Sequence, residues 1–310
     1  MAYTGRSTAA TAVLIWDGAK WVINSVLTLI SQGANPATPA TGVTLYSRNL
    51  AERAMSWNVN SKAEAFMLQD FLGQNSVSIW KPPGNAATVP AVFGMSAYTA
   101  VGTATARNVA TTSYYTRRKR LGYVGAAVVA SLASVRVANA QYTVGDGAAA
   151  GGFFKVIRFG CSDAATVAGA RQFVGVSSST GAATNVEPST LINSIGVGHG
   201  AADANLFIYY GGSVAQAPIN CGGSFPANTL SVDVYELALY SYPGSSTEVF
   251  YQLTRLNTGD VFSGSVTGTA GTAIPASTTL LSMTQAWRSN NASALAVGID
   301  IFSDYMSGAN

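Results

Sequence analysis

The chain holds one histidine among 310 residues, so chemistry that needs an imidazole has a single address. His199 lies in the run Gly196-Val197-Gly198-His199-Gly200-Ala201. A Ser-His-acid triad would have to use it, but no nucleophile-elbow motif accompanies it. A histidine between glycines reads as a loop residue, solvated or at an interface. The glycines are no dinucleotide fingerprint, because no βαβ pattern surrounds them. Zinc needs three or four convergent ligands, and His199 with the distant Cys161 and Cys221 supplies no recognisable set. The expectation is a protein with no catalytic residue, no cofactor and no metal.

Carboxylate pairs come next, since glycoside cleavage uses two acids across the scissile bond. Asp233 and Glu236 are an odd number of residues apart and would point to opposite faces of a strand. Asp300 and Asp304 share parity, but Asp304 falls where the last strand is expected to end. Neither pair reads as a catalytic couple. The 14 Tyr and 5 Trp would suit sugar stacking, yet aromatics of a β-protein serve mainly as core and interface anchors. No receptor-binding residue can be singled out.

The basic run Arg117-Arg118-Lys119-Arg120 follows Tyr114 and Tyr115. An extended chain splits its four side chains between two faces. Salt bridges to an acidic neighbour, either another subunit or the acid-rich second half, are expected in preference to nucleic acid. That second half is real: residues 1–171 carry 15 Lys/Arg and 6 Asp/Glu, a net of +9. Residues 172–310 carry 2 and 8, a net of −6, which restores the overall +3.

Charged residues are only 10% of the chain, against roughly 25% in an ordinary soluble domain. A surface so poor in charge is expected to be covered partly by other subunits, so the protein is read as a homo-oligomer. Cys161 and Cys221 are read as two lone thiols of a product assembled in cytoplasm, with a disulfide left open. The apolar run Ala9 to Trp16 meets Asp17-Gly18 where a signal-peptide cleavage site would be needed. The apolar stretch near Val124 to Ala133 is far short of the roughly 20 residues of a membrane span.

Stepping along the chain, Thr11 to Trp16 and Lys20 to Leu27 flank Asp17-Gly18, a hairpin signal. Gly42 to Ser47 reads as a strand, and residues 31–41, with Pro36 and Pro39, as a linker. Ser61 to Leu72 is the one helix expected, with Ser61 and Glu64 as a capping box and Ala63, Phe66, Met67 and Phe71 on one face. Ser76 to Trp80 is a short strand stopped by Pro82-Pro83-Gly84. Strands are then expected over Tyr123 to Ala130, Gln141 to Val144, Phe153 to Phe159, Gln172 to Val176 and Asn205 to Tyr210. Further strands are Leu230 to Tyr240, Thr247 to Arg255, Val261 to Val266, Thr279 to Met283 and Leu295 to Phe302. Many short strands with Gly, Pro and Ser between them argue for a mainly β chain. Its body is a jelly-roll-like β-sandwich over 117–310, with a smaller β-rich region carrying the helix over 1–116.

Five runs carry a resemblance to a known group. They are MSWNVNSKAEAFMLQDFLGQNSVSIWKPPGN (55–85), TRRKRLGYVGAA (116–127), GGFFKVIRFGCSDAATVAGARQFVGVSSSTGAATNVEPSTL (151–191), NLFIYYGGSVAQAPINCGGSFP (205–226) and VYELALYSYP (234–243). Together they resemble a domain of tail and fibre proteins of tailed bacteriophages, over most of the chain. The resemblance implies a non-enzymatic virion structural protein, a tail-associated fibre or its attachment module. It would be assembled in the host bacterial cytoplasm, trimeric as fibres usually are, and mounted on other tail or virion proteins through residues 1–116. The alternative reading is a lectin-like receptor-binding protein that grips host surface glycan.

Overall fold

Tyr235 to Ser241 buries every second residue, and Phe153, Lys155, Ile157 and Phe159 do the same while their neighbours stay half-exposed. This period of two makes a strand with one face on a core and one towards solvent. The computed structural model describes residues 75–94 and 96–309, together with the backbone of two earlier strands. Those two are β1 (Leu14–Trp16) and β2 (Trp21–Ile23), antiparallel with Trp16 opposite Trp21, which leaves residues 17–20 as the connection. The pairing expected on either side of Asp17-Gly18 is present, and residues 17–20 themselves lie outside the described residues. The linker at 31–41, the strand at 42–47 and the helix at 61–72 lie outside the described residues.

The chain divides into two units, Met1–Gly73 and Gln74–Asn310. The second unit begins with β3 (Asn75–Trp80), β4 (Thr99–Val101), β5 (Thr103–Arg107), β6 (Arg120–Val124), β7 (Leu132–Arg136) and β8 (Ala140–Tyr142). It continues with β9 (Phe153–Cys161), β10 (Arg171–Ser177), β11 (Ser194–His199), β12 (Phe207–Gly211), β13 (Ile219–Asn220) and β14 (Tyr235–Ser241). The last strands are β15 (Glu248–Arg255), β16 (Asp260–Thr267), β17 (Leu281–Ser289) and β18 (Gly298–Ala309). A single 3-10 turn, Pro188–Thr190, lies between β10 and β11.

These strands form two eight-stranded antiparallel sheets. The first runs β13-β12-β11-β10-β17-β7-β4, with β8 also on β17. The second runs β16-β15-β14-β9-β18-β6-β5, with β3 also on β18. The fold is the mainly β, jelly-roll-like sandwich that the strand pattern implies. Residues 75–107 pair into both sheets, so the boundary expected at 116/117 falls inside the second unit.

One core lies between the sheets. Trp80, Tyr123, Ile157, Phe159, Leu237 and Leu253 meet Val135, Val174, Val176, Ile195, Ile208 and Met283. Each such side chain contributes roughly 1.5–3 kcal/mol on leaving water. The final strand contains an irregularity that reorients half of its side chains. Ile301 pairs with Phe159 and Ser303 with Arg158, so Phe302 is an extra residue, a β-bulge. Even-numbered Asp300 lies on the outer side before the bulge, and even-numbered Asp304 and Met306 face the core after it. The strand runs on past Asp304 rather than ending there.

Candidate binding face and the buried polar clusters

His199 is the last residue of β11 and has no exposure, so the loop reading of this histidine is corrected. The glycines misled because they are strand residues. Ile195, Val197 and His199 point inward, and a Cβ on Gly196 would stand 2.7 Å from the Phe173 ring carbon Cζ and 2.4 Å from the Val174 carbonyl. Glycine lets an aromatic ring lie directly on the strand. His199, Gln172 and Arg288 stand side by side across β11, β10 and β17. Arg288 donates to His199 Nε2 at 2.8 Å, Gln172 Oε1 at 3.2 Å, Asn228 Oδ1 at 2.6 Å and both oxygens of Asp163. His199 Nδ1 then carries the proton and donates to the Gly200 carbonyl at 3.1 Å. Burial, with the Arg288 cation beside it, pushes the His199 pKa down to about 3. A neutral imidazole already accepting from an arginine has no base to offer a substrate.

The acids are engaged too. Asp233 has no exposure and pairs with Arg255 at 2.9 Å, while Glu236 pairs with Arg158 on the outer face of the second sheet. Asp300 holds Arg107 and Arg120, each at 3.1 Å, so one member of the basic run does bridge to the acid-rich second half. Gly122 makes room for this pair, since a Cβ there would come within 2.4 Å of Arg107 Nε. Arg118 lies over the Tyr114 ring, Arg120 over Tyr115, and Arg117 donates to the Thr111 carbonyl. The run is distributed and does not converge on one surface. Cys161 and Cys221 are buried and unpaired, and burial raises both thiols, Cys221 to about 12. Among the described residues no group of three or more His, Cys, Asp or Glu is placed to hold a metal, and no helix is long and apolar enough to cross a membrane.

The outer face of the second sheet presents a different kind of surface. Register across β18, β9, β14, β15 and β16 sets Ser307, Phe154, Tyr240, Phe250 and Ser265 in one row. The next row is Tyr305, Val156, Ala238, Gln252 and Ser263, and the third is Ser303, Arg158, Glu236, Thr254 and Val261. Phe154 lies 6.4 Å from Tyr240 and 6.2 Å from Tyr305, centroid to centroid. Phe250 lies 6.4 Å from Tyr240 and 6.2 Å from Tyr242, which follows β14. Adjacent strands are about 4.8 Å apart, so the rings make a band about 15 Å across four strands. Phe250 is 39% exposed, and Val261 at the edge is 55% exposed. The only charges in the three rows are Arg158 and Glu236, which neutralise each other. Aromatic faces set among hydroxyls and an amide stack on apolar ring faces and bond to polar edges of a ligand.

No protein-family model and no curated protein matches this chain. Solved structures do. A protein of unknown function from Shewanella oneidensis MR-1 has a TM-score of 0.47 at 12% identity, over 76% of this chain and 87% of that one. Peanut lectin in complex with a nine-residue peptide has a TM-score of 0.48 at 11% identity, over 76% and 98%. Arcelin-5, a lectin-like defence protein of Phaseolus vulgaris, has a TM-score of 0.44 at 11% identity, over 76% and 99%.

Proposed function

We propose that the protein is a non-catalytic carbohydrate-binding protein, carried on the virion of a tailed bacteriophage, that grips a host surface glycan on the outer face of its second sheet. The observation that carries the reading is the aromatic band Tyr305, Phe154, Tyr240 and Phe250 among Ser263, Ser265 and Gln252. Sugar rings have an apolar C–H face and a hydroxyl edge, and a charge-neutral aromatic band with hydroxyls at its margins complements both. The phage setting is supported by the sequence resemblance and not by the site.

A second reading keeps the virion setting and makes the same band a contact between subunits of a fibre. It is favoured by the low charge of the chain and by Val261, exposed at the sheet edge beside the band. A polysaccharide array probed with the full-length protein separates the two. Binding to host polysaccharide that is lost in Tyr240→Ala and Phe250→Ala, with the mass in solution unchanged, is the expected result. No binding to any glycan, together with dissociation of an oligomer by the same variants, would replace the first reading with the second.

A further inference from the structure

We propose that Lys155 and Asp304 join in an intramolecular amide bond, formed by the protein itself after folding and tying β9 to the final strand, β18. Both side chains have no exposure. Lys155 is on the inner face of β9 opposite Met306, and Asp304 is two residues earlier on the paired strand, so the side chains meet diagonally. Lys155 Nζ lies 2.7 Å from Asp304 Oδ1, and it is held there by the Met283 carbonyl at 2.6 Å and Thr284 Oγ1 at 2.8 Å. The other carboxylate oxygen, Oδ2, accepts from the hydroxyls of Tyr98 and Thr284.

Each feature matches a requirement of amide condensation. An amine attacks only as the free base, and burial lowers the Lys155 pKa against the opposing pull of Asp304. Transfer of one proton from Nζ to Oδ1 along their hydrogen bond cancels both charges in a medium that penalises charge. The Nζ lone pair then attacks Cγ and the C–N bond forms. The carbonyl electron pair moves to Oδ2, where the Tyr98 and Thr284 hydroxyls stabilise the oxyanion. A second proton passes from nitrogen to the Oδ1 hydroxyl, the C–Oδ1 bond breaks, and water leaves as the carbonyl reforms. One ammonium and one carboxylate become one amide and one water, with no oxidant or co-reactant. Enclosure between two sheets keeps out the bulk water that would favour hydrolysis.

The proposal does not depend on what the protein binds, and the wild-type chain alone tests it. Purified full-length protein is denatured, weighed by mass spectrometry and digested. The expected result is a mass lighter than the sequence by one water, with a branched peptide joining the Lys155 segment to the Asp304 segment. Lys155→Ala, weighed the same way whether or not it folds well, should show its full sequence mass. A wild-type protein at full sequence mass, with linear peptides at both positions, would overturn the proposal. So would a water loss that maps to Asp17-Gly18 or Asp146-Gly147, where an aspartyl-glycyl pair can cyclise without help.

Discussion

Each sheet carries aromatic residues on its outer face, and the two faces have opposite fates. On the first sheet Phe173, Trp287 and Tyr209 are 0–3% exposed, and Ala183 and Leu191 from the segment between β10 and β11 pack against them. Arg171 helps fasten that segment, through Glu187 at 2.7 Å and Asn185 Oδ1 at 3.0 Å. On the second sheet Phe154, Tyr240 and Tyr305 are half-buried by their own neighbours, and Phe250 is exposed. The same side-chain chemistry therefore does structural work under a lid and remains available without one. Strand β9 repeats the contrast with charge: Lys155 points inward to a carboxylate in a dry core, and Arg158, three residues on, pairs with Glu236 on the wet side.

If the covered face is structural, Trp287→Ala should cost about 3–5 kcal/mol, read as a loss of urea stability. A cost as small as that of an open-face substitution would erase the distinction. Beneath the same sheet, His199 should make the fold acid-sensitive. Its folded pKa is pushed down to about 3 from the usual 6.5, so the unfolded chain takes up a proton that the folded chain refuses. The stabilisation is intact above pH 6.5 and is lost as the pH falls towards 3, at up to about 1.4 kcal/mol per pH unit. Urea midpoints followed from pH 7 to pH 4 should show this slope in the wild type and a shallower one in His199→Gln. Equal slopes would mean that the histidine is not held neutral.

On the open face the order of effects reverses. Tyr240→Ala should change stability by about 1 kcal/mol or less, yet weaken glycan binding by about tenfold or more, equivalent to about 1.4 kcal/mol. Parallel unfolding and titration curves check both. The smallest effect belongs to Arg158→Ala, which removes a partly exposed ion pair and should cost about 0–1 kcal/mol. A loss of several kcal/mol there would show that this face is buried in the working protein.

Strands with alternating burial were the legible part of the sequence. Phe153 to Phe159, Thr247 to Arg255 and Val261 to Val266 all lie on observed strands, with ends shifted by a residue or two, and Gln172 to Val176 lies on β10 although that strand is buried on both faces. Leu230 to Val234 alternate equally well in sequence but precede β14, because Leu230 and Ser231 take φ of 45° and 65° and turn the chain. Strand β17 extends to Ser289, well past the Met283 expected, because every one of its residues is buried and no alternation marks its length. Strand β11 was hidden by glycines that make space for Phe173. Asp304 was hidden by the bulge at Phe302, which no parity argument can foresee. The aromatic band was half-visible: parity places Phe154, Tyr240 and Phe250 on one face of each strand, but only the register between distant strands sets them side by side.

Hydroxyl-radical footprinting of the full-length protein, with and without host polysaccharide, tests the open face most directly. The account predicts that Phe250, Tyr240, Phe154 and Tyr305 are oxidised in the free protein and protected when glycan is added, while Ile192, 51% exposed in the segment between β10 and β11, stays reactive throughout. Band residues already protected in the free protein, or equally oxidised with and without glycan, would contradict it.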